Sequence, residues 1–280
     1  MSIVLGLLAA VAFGTGDLFA GVASHRLRPA IVTSGTGIVG VGTALVAVLL
    51  FPGDGASTKA LLWGALAGVG TGAGGLCLYH GMTVGRISVV ATLSGLFAAV
   101  IPVFVGLIGG DSLSLASAVG VVIAVPAIAL VSWHPSRAEA GASGAIWGVL
   151  AGIGFALLFV ALDRAGTESG AWPLLTTELA GVLVIAPLAI LTLRAGGVEV
   201  SRTGALQAVI AGVLFGLANL AFLVATHTGQ LAIVVVLTSL YPAVTVILAR
   251  VFLADQWIRT QKIGLIAGFA AVLLVTAGSA

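Results

Sequence analysis

The sequence predicts an all-α integral membrane protein whose ten transmembrane helices form two five-helix inverted repeats. Of its 280 residues, 60% are hydrophobic and 7% are charged, and the mean hydropathy is +1.26. A soluble domain carries about 25% charged residues, so this chain has too few to cover a water-facing surface. The net charge is only +2 and the basic residues are scattered along the chain, so no nucleic-acid partner is predicted. The lipid bilayer is the expected environment.

Apolar runs of the length that crosses a bilayer, about 20 residues, follow one another along the whole chain. Polar or turn residues separate them, for example at 25–29 and 134–137. The runs are unbroken rather than alternating, which favours helices over barrel strands. The first run begins at Ile3 with no basic residue before it, which predicts a retained helix rather than a signal peptide. The predicted spans are 3–23, 30–51, 60–81, 87–108, 114–132, 144–162, 172–193, 204–226, 231–252 and 261–279.

An internal repeat becomes visible when the chain is shifted by 144 residues. Residues 85–124 are then identical to 229–268 at 8 of 40 positions, including Asp111 with Asp255. At a slightly different shift Phe13 aligns with Phe155. Each half then holds five helices, and because five is odd, the second half crosses the membrane in the opposite sense. Inverted repeats place a substrate site near the midplane and permit alternating access by rocking.

The tail of each half resembles the drug/metabolite transporter superfamily, in particular proteins with two EamA-type halves. Both acidic turns carry Asp where that family usually has Glu, and Ala98 stands in the first half where Pro242 stands in the second. The residues that carry the resemblance are Gly85-Arg86-Ile87-Ser88, Gly110-Asp111-Ser112-Leu113-Ser114 and Gly120 in the first half, and Gly229-Gln230-Leu231-Ala232, Leu240-Tyr241-Pro242, Ala254-Asp255-Gln256 and Gly264 in the second.

This resemblance implies two EamA-type halves, 1–138 and 139–280, in a multi-pass protein of the cell (inner) membrane. It implies export or exchange of small metabolites or drugs, such as amino acids, often driven by protons, rather than an enzymatic activity. The expected partners are a small-molecule substrate, protons and lipid, and the expected state is a monomer or homodimer. No cofactor or metal is predicted, because Cys77 is the single cysteine and no zinc-ligand spacing or nucleophile motif occurs.

The 40 glycines predict close helix packing. Residues 70–75 match the dinucleotide fingerprint, but they lie inside an apolar run without the strand and acidic partner that the fingerprint requires. Small residues at every fourth position instead form a stripe along which backbones approach. Such stripes are Gly64, Gly68 and Gly72; Gly144, Gly148 and Gly152; Gly212 and Gly216; and Gly264 and Gly268.

Polar side chains at membrane depth are the candidates for substrate binding, because they face a cavity or a partner. Asp17 could carry a proton or meet a cationic substrate, or it could reach the membrane boundary beside Arg26. Glu178 could likewise reach the interface, and Asn219 could serve only a helix-to-helix hydrogen bond. The full candidate set is Asp17, Tyr79, His80, Ser94, Glu178, Asn219, Thr238 and Tyr241. Asp111 and Asp255 are interpreted as caps of the helices that follow them.

Two questions stay open at this point. Nine basic residues lie in the connections after odd-numbered helices and two in the others, so the positive-inside rule puts both termini outside, whereas the resemblance implies both inside. Besides a secondary transporter, a membrane-embedded enzyme and a structural or assembly subunit also suit an apolar chain with few polar side chains.

Overall fold

In the computed structural model, the described residues are 1–24, 26–84, 87–132, 144–194, 201–253 and 259–278, and regular structure among them is helical. The chain is an integral membrane protein of the all-α class. Seven helices are long and apolar enough to cross a membrane, and three shorter apolar helices, 93–108, 115–130 and 231–245, complete ten crossings. The helices are α1 Ser2–Ser24, α2 Pro29–Leu50, α3 Thr58–Val84, α4 Ile87–Ile108, α5 Leu115–Ser132, α6 Ala145–Arg164, α7 Trp172–Arg194, α8 Arg202–Thr228, α9 Leu231–Thr238, α10 Tyr241–Leu253 and α11 Arg259–Gly278.

The ninth predicted span is two helices rather than one. α9 ends at Thr238 and α10 begins at Tyr241, so Ser239 and Leu240 interrupt the helix. Pro242 has no N–H with which to bond the carbonyl of Thr238, so the regular ladder is lost at this point. Pro102, Pro126 and Pro187 also lack the donor but lie inside continuous helices. Of these four prolines, only Pro242 therefore coincides with a break.

Contacts between connections define two faces of the molecule. The terminal face holds the start of α1, where a side chain at Gly229 would meet Ser2, and the 51–57, 109–114 and 165–171 connections. The opposite face, here the arginine face, holds the end of α1 and the start of α8, where Leu27 lies against Gly204. α1 begins at the terminal face and α6 at the arginine face, so the two halves run in opposite directions.

The helices assemble into two bundles that each combine both halves. Bundle 1 is α1, α2, α8, α9 and α10, and bundle 2 is α6, α7, α3 and α4. Contacts in one bundle have counterparts in the other, between the equivalent helices of the opposite half. The contact of α1 with α8 corresponds to that of α6 with α3, and the contact of α2 with α8 corresponds to that of α7 with α3. α2 meets α7 between the bundles, and α5 pairs with α11 beside them. This pattern of contacts is the one that a two-fold axis between the halves produces.

The predicted glycine stripes lie at these contacts. A methyl group on Gly68 would collide with the carbonyl of Thr177, and one on Gly72 would collide with Val184, so both glycines let α3 approach α7. Gly152 lies against α4 in the same way, and Gly216 lies against Thr43 of α2. The glycines therefore serve close packing, and the packing interpretation of the sequence is confirmed for these helices.

Candidate functional site

A cavity of about 270 Å³ lies between the two bundles. On α1, α2 and α3 its walls include Ala20, Val32 and Leu78, which lie toward the arginine-face ends of these helices. Its walls also include Glu178, near the start of α7, and Asn219, in the second half of α8, which lie nearer the terminal-face ends of these helices. The cavity therefore extends from the terminal side of the midplane toward the arginine face.

Glu178 and Asn219 form a hydrogen-bonded pair in this cavity. The Nδ2 amide of Asn219 donates to Oε1 of Glu178 at 3.0 Å, which joins α8 of bundle 1 to α7 of bundle 2. Asn219 is 6% exposed, and its Oδ1 has no hydrogen-bond partner among the described residues. Gly40 of α2 lies directly against the carboxylate, where any side chain would collide with it. The carboxylate of Glu178 is therefore held between α2 and α8 inside the protein, and it does not reach the membrane interface.

Asp17 of α1 contributes a second carboxylate to the same cavity. It belongs to bundle 1 and Glu178 to bundle 2, so the two acids come from opposite sides of the interface between bundles. The described lining includes no Lys, Arg or His side chain. A charged group in a low-dielectric site is unstable without a partner of opposite charge. Because these two acids have no basic neighbour among the described lining residues, a bound proton or cation would stabilise them.

Aromatic rings surround these polar groups. The ring of Phe13 lies 6.1 Å from Tyr241, 6.2 Å from Phe215 and 6.4 Å from Phe159, measured between centroids. Phe155 lines the cavity as well. These phenylalanines are absent from the candidates chosen from sequence, although the alignment of Phe13 with Phe155 in the repeat was a signal that could have identified two of them.

Packed side chains close the cavity toward the terminal face. Phe159 of α6 contacts Phe222 of α8 with ring centroids 4.7 Å apart, and both rings are buried. Leu162, Leu174 and Leu223 extend this cluster toward the terminal face. These packed side chains fill the space between the cavity and the terminal face, whereas the cavity walls extend toward the arginine face.

Backbone contacts between connections seal the terminal face itself. The N–H of Ala171 donates to the carbonyl of Phe51 at 2.9 Å, which joins the start of α7 to the end of α2. Asp111 accepts a 2.8 Å hydrogen bond from the N–H of Ala232 in α9. Asp111 was expected to cap α5, the helix that follows it. That expectation is wrong, because its carboxylate instead caps α9, a helix of the other half. Asp255 lies outside the described residues.

Three further candidates, Thr238, Ser94 and His80, are not among the described residues that line the cavity. Thr238 is buried and donates to the carbonyl of Gly6 at 3.4 Å, so it joins α9 to α1. Ser94 is buried on α4, where its carbonyl faces Gly152. His80 is exposed, with its ring 4.4 Å from Trp147. Tyr79 lies in α3, but its side chain is outside the description. The structure thus gathers Asp17, Glu178, Asn219 and Tyr241 around one cavity, and their roles stay predictions.

Comparison with known proteins agrees with this fold. Residues 142–277 match the EamA-like transporter family. A solved crystal structure of a protein is similar over 99% of this chain and 96% of its own, with a TM-score of 0.76 and 16% sequence identity. At that identity the likeness concerns the fold alone. No curated protein sequence matches the chain.

Residues 142–277 therefore form an EamA-type domain of the drug/metabolite transporter superfamily, as the resemblance predicted for the second half of the chain. The members of this family are typically small-molecule transporters, and the apolar helices agree with a multi-pass membrane protein.

Proposed function

We propose that this protein is a secondary transporter that carries a small metabolite or drug across the cell (inner) membrane by alternating access. The observation that carries the proposal is a cavity between two inversely related bundles, with polar groups in its walls and packed side chains between it and the terminal face. Rocking one bundle against the other would separate Phe159 from Phe222 and close the arginine side. The same site would then face the opposite compartment.

Protons drive export or exchange in this proposal, with Asp17 and Glu178 as their carriers. Each carboxylate is destabilised by loss of hydration when it is ionised in this low-dielectric cavity, so a proton or a positively charged solute stabilises the site. A proton bound in one orientation and released in the other couples its gradient to the solute. Asp17→Asn and Glu178→Gln keep the shape of each side chain and remove its charge.

Reconstitution into liposomes tests the proposal directly. The purified protein should move labelled solute without ATP, and an imposed pH gradient should change the rate. The paired variants Asp17→Asn and Glu178→Gln should lose the response to the gradient, whereas Asp54→Asn and Glu168→Gln, which alter exposed acids of the terminal face, should keep it. Absence of flux across a broad metabolite panel would overturn the proposal.

Orientation decides which compartment the cavity faces here. The described cations at the arginine face are Arg26, Arg28, Arg194, Arg202, Arg259 and Lys262, against Lys59 and Arg164 at the terminal face. The positive-inside rule then makes this an inward-open state, and the superfamily resemblance makes it outward-open. A reporter fused after residue 280 distinguishes the two, because the terminal face carries both chain ends.

A further inference from the structure

The hydrogen-bonding capacity that remains in the cavity walls points to a substrate class, and this inference rests on the proposed function. Thr36 donates its hydroxyl proton to the carbonyl of Thr33 at 2.9 Å, and Thr71 donates to Ala67 at 3.1 Å. Thr177 donates to the carbonyls of Gly64 and Pro173 at 2.9 and 2.8 Å. Their protons are committed to the backbone, so these hydroxyls can offer a ligand only lone pairs.

The amide in the cavity is committed in the same way. Asn219 donates to Glu178, and its Oδ1 remains an acceptor without a partner among the described residues. Glu178 keeps its second carboxylate oxygen, and Asp17 adds two more acceptors from the other bundle. Apart from the hydroxyls of Tyr241 and Thr33, the described walls therefore present acceptors, and negative charge when the two acids are ionised.

We propose that the transported solute is a small protonated amine whose ammonium group carries N–H donors. Its N–H groups donate to Glu178 and Asp17, and its apolar part lies among Phe13, Phe155 and Phe215. An ammonium has three donors and no acceptor, which complements a wall of acceptors. An ammonium that lies over the face of one of these rings gains cation–π attraction as well.

The geometry argues against the other charge classes. A carboxylate or phosphate solute would face two acids without a described cation among the lining residues, so it would lose its hydration without an equivalent replacement. A quaternary ammonium would gain the charge attraction but would leave the acceptors unpaired. A solute with N–H donors satisfies both the charge and the hydrogen bonds.

A cation between the acids also explains how binding could favour closure. Asp17 belongs to α1 in bundle 1 and Glu178 to α7 in bundle 2, so an ammonium in the cavity is attracted to an acid of each bundle. A solute that binds the closed arrangement more tightly than the open one shifts the equilibrium toward closure by that difference in affinity. A neutral or anionic solute cannot provide this difference through these acids.

The test uses the full chain in detergent and four ligands that share a phenyl ring with a two-carbon chain and differ in the terminal group. Phenethylamine, its N,N,N-trimethyl derivative, 2-phenylethanol and phenylacetate are titrated by calorimetry, and their flux is followed in liposomes. Charge-assisted hydrogen bonds are worth about 1.5–3 kcal/mol, so phenethylamine should bind about tenfold or more tightly than each of the others. Glu178→Gln and Asp17→Asn should each remove most of that preference, and Glu168→Gln and Asp54→Asn should retain it.

The outcomes separate this inference from the proposed function. If 2-phenylethanol or phenylacetate binds and moves as well as the amine, or if the trimethyl derivative equals it, the amine inference is wrong while transport stands. If no ligand moves but labelled amino acids or sugars do, the inference again fails alone. If no solute of any charge moves through correctly folded protein, both proposals fail. Thermal unfolding of each variant distinguishes lost binding from lost folding.

Discussion

Asn219 donates a 3.0 Å hydrogen bond to Glu178 and thereby joins the two bundles at the innermost end of the cavity. The residues are 41 positions apart in sequence and come from adjacent helices of the second half. Because the bond crosses the interface that alternating access must rearrange, its strength affects both the fold and the rate of transport. The pair is therefore the most informative place to perturb the protein.

Asn219→Ala should lower both stability and transport. The carboxylate of Glu178 then loses its donor while staying in a largely apolar site, which costs about 1–3 kcal/mol. We expect a lower unfolding temperature and a transport rate reduced about tenfold, measured by thermal unfolding and liposome flux.

The control for Asn219→Ala is Leu217→Ala, two residues away on the exposed side of α8. A double-mutant cycle with Glu178→Gln should be non-additive, because both substitutions remove the same bond. Independent, additive losses would contradict the pairing.

Gly40→Ala should impair transport without a large change in the fold of α2. A methyl group at this position collides with the carboxylate of Glu178, so the acid must move and the geometry of its bond to Asn219 must change. The effect should appear in the apparent affinity for the solute, measured as the concentration dependence of flux.

Gly42→Ala provides a matched control on the same helix. The added methyl group meets nothing within 4 Å. Alanine favours helix over glycine by about 1 kcal/mol, so this variant should be equally or more stable and fully active. Equal activity of the two alanine variants would show that the position of the carboxylate does not matter.

The sequence predicts the fold class because composition and the lengths of apolar runs depend on the lipid environment and little else. It predicts the glycine contacts for a related reason, since spacing by four residues places small side chains on one side of a helix. The break after Thr238 was not predicted, because an internal proline does not by itself indicate a break. Prolines at 102, 126 and 187 lie in continuous helices, and only Pro242 coincides with an interruption.

The site was less predictable, because its contacts are made between distant segments. Nothing in the sequence around Glu178 indicates that Gly40 makes room for it or that Asn219 bonds to it. Asp111 has the local pattern of a cap for α5, but tertiary packing brings Ala232 closer. Thr238 has the same residue type as the cavity threonines, yet its hydroxyl reaches Gly6 instead. Residue type and depth identify candidates, and only packing decides which of them meet.

Asp111→Ala should weaken the seal of the terminal face. The carboxylate caps α9 from the other half, and loss of a helix cap costs about 1 kcal/mol. Because this cap joins bundle 2 to bundle 1, its loss should also raise the population of the state that is open to the terminal face. Thermal unfolding and thiol labelling from each side of oriented liposomes measure the two effects.

Asp54→Ala is the matched control for Asp111→Ala, since Asp54 is an exposed acid on the same face. Its contact with Glu168 uses the backbone N–H, which the substitution keeps. If both variants behave alike, the cap does not contribute to the closed state.

Phe159 should act as the gate toward the terminal face, because its ring lies between the cavity and Phe222. Gly75→Cys provides a reporter in a Cys77→Ala background, since a side chain at Gly75 lines the cavity and meets nothing within 4 Å. This cysteine should react with a membrane-impermeant thiol reagent mainly from the arginine face.

Phe159→Ala removes the barrier, so labelling from the terminal face should rise severalfold. The substitution also costs about 3–5 kcal/mol, and Phe159→Leu retains more of the packing with a smaller rise. Phe269→Ala, on the exposed side of α11, should change neither side, and equal labelling from both faces before any change at Phe159 would disprove the gate.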